Sequence, residues 1–283
     1  QVYLDYLQAL IARGVPSQEA YQVLNTLKGL QPNLPEIIGY EAELLATDGN
    51  FEDAYQMYRQ ALETTLVDDP EWKTRLVLGL GITAMQIGEP ETALAALQAA
   101  KEVAPKSLEV NRALTDGYIQ SGLQDEAFQS AVTTKSLAPD NVENLAWFAR
   151  KSIQLEEYQQ AIKAYQQAVE LVPDRKDLEI KLAKIYQKQN DLDLAKKHYS
   201  NVIEAPSTNA DDLIAASDGM MLLDFPQLAI SGYQRAAEEI SDSLQEEEKR
   251  LDLYNKLYHA HIVTKDYPAA LDALDKASSI HGT

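Results

Sequence analysis

The sequence predicts an all-α fold, a solenoid of tandem antiparallel helix hairpins. Three observations predict it. A unit of 34 residues recurs along the chain, each unit carries two apolar stripes at helical spacing, and one place in the unit is always alanine.

Residues 142–175 show the pattern in full. Leu145, Phe148, Ala149 and Ile153 form the stripe of a first helix. Ala161, Tyr165, Ala168 and Leu171 form that of a second. Pro173 stops the second helix, because proline lacks the amide that a helix interior uses. Such a hairpin cannot bury both stripes alone and needs neighbours of the same kind on each side.

Units starting near residues 1, 35, 74, 108, 142, 176, 210 and 251 supply those neighbours as one array over 1–283. Extra residues precede the third and the eighth. The invariant alanines are Ala20, Ala54, Ala93, Ala127, Ala161, Ala195, Ala229 and Ala270. A methyl group at this place lets paired helices approach closely. Four residues later mostly large groups fill the next layer, among them Leu24, Tyr58, Leu97, Tyr165, Tyr199 and Tyr233. Pro32, Pro105, Pro139 and Pro173 close four units at one equivalent position.

Taken in order, the first unit opens on helix with Tyr3, Leu4 and Leu7, and Pro16-Ser17 starts its second helix. Before the third unit, Asp69-Pro70-Glu71 is a helix-start signal, so this first helix begins near Pro70 and carries Trp72 on an added turn. Gly79-Leu80-Gly81 falls inside it, where glycine permits close packing. The third to seventh units are regular. Ser243 followed by Glu246 reads as a capping box, so the last unit's first helix is expected to begin near Leu244 and to be about two turns longer than its counterparts. The final helix ends near Ile280 without a polar helix to cover it. That end, and a first residue of Gln1 rather than Met, suggest a longer parent chain.

On the registered alanines, the large residues four places on and the closing prolines, the chain resembles the tetratricopeptide-repeat family over essentially its whole length. The resemblance implies a right-handed α-solenoid (superhelix) of roughly one turn. It also implies a groove, lined by the first helices, that holds a peptide or partner segment. Departures are local: Glu41 and Glu179 stand where the family has apolar or aromatic residues, and Leu66, Ser207 and Ser241 where the closing proline would be. The family's carboxylate clamp for chaperone C-termini is not expected. Its places hold Asp5 and Ala9, then Tyr40, then Arg75 and Gly79, and later Arg112 and Asp116, Trp147, Asp177 and Lys181.

Charge narrows the partners. With 44 acidic and 25 basic side chains the chain carries −19, which disfavours nucleic acid, and with it the RNA-reading pentatricopeptide relatives. The longest apolar run, residues 76–85, is too short for a membrane span, so no direct membrane insertion is expected. With no signal peptide in view, the location expected is cytoplasmic, the alternative being a soluble part of a larger or tethered protein. No cysteine is present. His198, His259, His261 and His281 lack metal-ligand spacing, and no phosphate loop, nucleophile elbow or kinase signature occurs. No metal, cofactor or catalytic residue is expected. The residues 245–250 read as a solvated helix face.

Binding surface remains. In register, the groove of the third to sixth units receives Leu78, Ile82, Arg112, Asp116, Gln120, Trp147, Arg150, Gln154, Lys181, Lys184 and Lys188. Residues 142–200 hold ten basic and nine acidic side chains, a near-neutral stretch in an acidic chain. Arg150 and Lys184 share one row, with Lys181 and Lys188 a turn away and Trp147 beside Arg150. Two readings stay open. An acidic peptide or chain terminus docks there through charge-assisted bonds, or the lysines are solvated and Trp147 packs between units. Tyr6 and Tyr40 repeat an aromatic at one groove place, open to the same two readings. The expected function is a non-catalytic protein-interaction scaffold. The alternatives are a self-assembling or domain-linking solenoid, associating through uncovered ends, or a regulatory part of a larger enzyme.

Overall fold

Among the described residues the computed structural model holds sixteen helices, two for each of the eight units that the apolar spacing predicts. It describes residues 2–13, 18–31, 34–64, 70–240 and 246–280. The chain divides into two compact units, Gln1–Pro139 and Asp140–Thr283. The first holds α1 (Val2–Ala12), α2 (Gln18–Leu30), α3 (Pro35–Thr47), α4 (Phe51–Thr64), α5 (Pro70–Gln86), α6 (Pro90–Val103), α7 (Leu108–Gln120) and α8 (Gln124–Leu137). The second holds α9 (Val142–Gln154), α10 (Tyr158–Leu171), α11 (Lys176–Lys188), α12 (Leu192–Glu204), α13 (Ala210–Leu222), α14 (Pro226–Glu239), α15 (Glu247–Val263) and α16 (Tyr267–Ile280). No strand occurs among the described residues.

Each odd-numbered helix pairs with the next to make a hairpin, and hairpins stack in chain order within each unit. All eight registered alanines are 0–1% exposed, so each sits where two helix backbones close on one another. The layer above is filled by Leu24, Tyr58, Leu97, Tyr165, Tyr199 and Tyr233, also buried. Leu274, the last of that series, is 40% exposed on α16.

The turns inside the hairpins share one device. Gly49, Gly88, Gly122, Glu156, Asn190, Asp224 and Lys265 all have φ between 60° and 81°. They occupy the fifteenth place of seven successive units. At each, the next residue's N–H reaches back to the carbonyl five residues earlier, as Asn50 does to Leu45 (2.8 Å) and Glu157 to Ser152 (2.7 Å). This satisfies carbonyls the first helix leaves open. Side chains of Ser107, Asn141, Asp191 and Asn209 cap α7, α9, α12 and α13.

Helix α5 begins at Pro70 with Trp72 on its added turn. Trp72 is 8% exposed, over Gly39 and 5.1 Å from the Tyr40 ring. Helix α15 has 17 residues against 13 for α13, about one added turn, and the start expected near Leu244 lies outside the described residues. Glu246 precedes it without a side-chain capping bond. Pro16, Ser17, Pro32, Leu66, Asp69, Ser241, Ser243, Leu244, Gln245 and His281 lie outside the described residues. The polar departures from the repeat have partners on neighbouring helices. Lys28 Nζ donates to Glu41 at 2.7 and 2.9 Å, and Glu179 Oε2 is 2.5 Å from His198 Nδ1.

Candidate functional site

The first helices of a unit's hairpins touch in sequence, α1 on α3, α3 on α5 and α5 on α7. Their exposed flank is where a side chain can be presented to another molecule. In the first unit this flank holds a hollow of about 910 Å3. That is within the size range of binding pockets, roughly 300–1,000 Å3. Apolar walls come from Phe51, Leu78, Ile82 and Val110, and charged ones from Glu43, Glu71, Arg75 and Glu109.

One missing side chain makes room for the floor. A β-carbon placed on Gly79 would lie 2.3 Å from Tyr58 Cζ. The Tyr58 ring, 4% exposed, therefore tucks under the α5 backbone and lines the hollow from α4. The second unit repeats the construction. A β-carbon on Gly219 would lie 2.3 Å from Tyr199 Cζ, and both residues line a hollow of about 470 Å3 with Lys184, Lys188, Asp218 and Leu222.

The charged groups of the larger hollow are tightly arranged. Arg75 donates from Nε and Nη2 to the two oxygens of Glu43, the latter at 2.6 Å. Its guanidinium carbon lies 5.1 Å from the Tyr40 ring centre and 5.7 Å from that of Trp72. Arg75 is thus held by a forked ion pair and two ring faces. Burial pushes the Glu43 carboxyl up, against the pull of Arg75, and the charge of Glu109 pushes it further. Burial, then the charge of Glu43, pushes the Tyr58 hydroxyl up.

The eleven residues expected in the groove divide between the two units. Leu78 and Ile82 line the larger hollow. Arg112 and Asp116 are half-buried on α7, Gln120 is exposed at its end, and none of the three lines that hollow. Lys184 and Lys188 line the smaller hollow, and Lys188 Nζ stands 4.8 Å from the Tyr158 ring centre. Arg150 and Gln154 are exposed on α9.

Two residues fit the first of the two readings, an open cationic row, poorly. Trp147 is 7% exposed, because its face of α9 is packed, and offers little flat surface beside Arg150. Lys181 Nζ donates to Asp177 at 2.7 Å, so its charge is matched on its own helix. Asp177 also accepts from Arg175 Nε at 2.8 Å, and Arg175 reaches Glu143 at 2.7 Å. Hydrogen bonds from Arg175, foremost, and from Lys181 bring the Asp177 carboxyl down to about 2. Tyr6 is 43% exposed and donates to Glu19, whereas Tyr40 is buried under Arg75, so they form no shared stripe.

The hollow's floor is not legible in the sequence, since Gly79 and Tyr58 signal it only as a pair. Among the described residues no group of three or more His, Cys, Asp or Glu is placed to hold a metal ion. No described helix is long and apolar enough to cross a membrane.

Comparison with known proteins bears on the fold. A family model described as tetratricopeptide repeat matches residues 45–117 and 152–215. A curated relative, the TPR repeat-containing protein YpiA of Bacillus subtilis, is 28% identical over 152 residues, 54% of this chain and 34% of that protein. The match thus spans about a third of the relative's length. Among solved structures, the C-terminal part of a TPR repeat-containing protein from Cytophaga hutchinsonii superposes with a TM-score of 0.65 at 18% identity, covering 86% of this chain and 97% of that one. A tetratricopeptide repeat protein from Parabacteroides merdae gives 0.54 at 15% identity, covering 87% and 93%. At these identities the likeness is one of fold.

Proposed function

The chain belongs to the tetratricopeptide-repeat family, whose repeats mediate protein–protein interactions, and on that premise we propose that it is a non-catalytic scaffold holding a segment of another protein in the hollow of its first unit. The observation that carries this reading is the hollow itself, about 910 Å3 and bounded by three successive first helices, α3, α5 and α7. Depth comes from the glycine at 79, and a mixed apolar and charged lining suits a peptide better than a small apolar molecule. The smaller hollow of the second unit, with Lys184 and Lys188, is the lesser candidate.

The test is a peptide-display selection on the whole chain, run beside two variants. Ile82→Trp fills the larger hollow, and Lys184→Glu/Lys188→Glu reverses the charge of the smaller one. Peptides kept by the lysine variant and lost with Ile82→Trp support the reading. Peptides kept by Ile82→Trp, or no enrichment on the wild type, overturn it.

A second reading is favoured by α16, where Tyr267, Leu271 and Leu274 are 59%, 60% and 40% exposed. Association between copies through this helix would bury them. Sedimentation over a hundredfold concentration range, wild type beside Leu271→Lys, separates it from the first: a mass that rises and is lost in the variant supports association.

A further inference from the structure

We infer that the hollow of the first unit selects a protein segment that seats an apolar side chain beside a lysine or arginine. This rests on the reading of that hollow as the binding site. The argument is one of charge complementarity over an apolar floor. Among the described residues, four side chains bring formal charge to the lining: three are carboxylates, Glu43, Glu71 and Glu109, and one is a guanidinium, Arg75.

The single cation is already committed. Its Nε and Nη2 both face Glu43, and its plane is held near the rings of Tyr40 and Trp72. An incoming carboxylate would have to break that fork in a half-buried site, leaving Glu43 buried without its partner. An incoming ammonium or guanidinium meets no such cost. It can approach Glu109, which is exposed on the first turn of α7 and whose charge reaches Glu43 across the hollow. Leu78, Ile82 and Phe51 supply the neighbouring apolar surface. The first unit as a whole carries 19 acidic and 9 basic side chains, so its field also favours the approach of a cationic segment. The acidic ligand weighed from the sequence belongs to the row of Arg150, Lys181, Lys184 and Lys188 in the second unit, none of which lines this hollow.

The experiment uses the full chain and three displayed 12-residue peptide pools. All share randomised Leu, Ile, Val, Phe and Met positions. They differ in whether the remaining positions mix Ala and Ser with Lys/Arg, with Asp/Glu, or with no charge. The basic pool is expected to enrich on the wild type. Its best peptides should bind about tenfold more weakly to Glu109→Lys and lose binding to Ile82→Trp. Enrichment of the acidic or uncharged pool, lost with Ile82→Trp but unchanged or improved with Glu109→Lys, would overturn the inference while leaving the hollow as the site. Binding that survives Ile82→Trp, or no enrichment from any pool, would overturn the site and the inference with it. Circular dichroism of each variant confirms matched helicity.

Discussion

The ring of Tyr58 lies beneath Gly79, so close that a β-carbon on the glycine would come within 2.3 Å of Tyr58 Cζ. Both the depth of the larger hollow and the seating of α5 on α4 follow from this contact. Adding a methyl group forces the ring or the helix to move, at an overpacking cost of about 1–3 kcal/mol. Alanine recovers only about 1 kcal/mol over glycine inside a helix. Gly79→Ala should therefore lower stability, by about 1 kcal/mol. Gly29, inside α2, meets nothing within 4 Å, so Gly29→Ala keeps the helix gain without the clash. Urea midpoints of the two variants should shift in opposite directions. A shift of the same sign would refute the packing argument.

The Glu43–Arg75 pair gives a second prediction. Glu43 retains 11% of its side-chain exposure and Arg75 31%, so the pair is largely withdrawn from water. Arg75→Met leaves the carboxylate buried and unpaired and should cost about 2–3 kcal/mol, somewhat below the range for fully buried pairs. Replacing both, as Glu43→Leu with Arg75→Met, should recover most of that loss, because no buried charge remains. A double-mutant cycle measures the difference. Single losses below about 0.5 kcal/mol would place the pair with ordinary surface bridges.

Asp177 sets a third, in pH. Its folded carboxyl titrates at about 2, against an ordinary value of 3.8, because Arg175 and Lys181 hold the charged form. A depressed folded pKa contributes stability that is full above 3.8 and is lost as pH falls from there toward about 2. Over that window the wild type should lose more stability than Arg175→Gln, which lacks the main partner. Burial raises Glu43 above its ordinary 4.5, so its protonation comes before this window and adds stability rather than removing it as pH falls. Carbon-detected titration of the Asp177 carboxyl, with thermal midpoints of both proteins, checks the sign. A midpoint at the ordinary value would remove the effect.

Much of this architecture is legible in the sequence because the repeat fixes which residues share a layer. Ala161 and its seven equivalents mark the closest helix approach, and their burial follows from register alone. What periodicity does not carry is pairing. The hollows need Tyr58 with Gly79 and Tyr199 with Gly219, and neither residue is unusual at its place until the other is known. Lys181 reads as a groove cation until Asp177, one turn back on the same helix, is seen to hold it. Glu41 and Glu179 look like flaws in the pattern but are matched by Lys28 and His198 on the neighbouring helices. Chain register places a residue on a face, whereas the identity of its partner depends on rotamers that no repeat encodes.

The shared turn supplies the last prediction. At the fifteenth place Gly122 has φ +72° and Glu156 φ +62°, and both precede a residue whose N–H closes the same back-bond. Only the glycine adopts that conformation without a β-carbon penalty, which for other residues is about 1 kcal/mol. Gly122→Ala should then lose about 1 kcal/mol. Glu156→Gly should gain roughly 0.5 kcal/mol, the relieved strain less the extra freedom glycine gives the unfolded chain. Both sites are exposed and neither lines a hollow, so peptide binding should be unchanged while the urea midpoints move apart. Equal midpoints for the two variants would mean that the turn tolerates a side chain freely. The three glycines at this place would then have no conformational reason to be there.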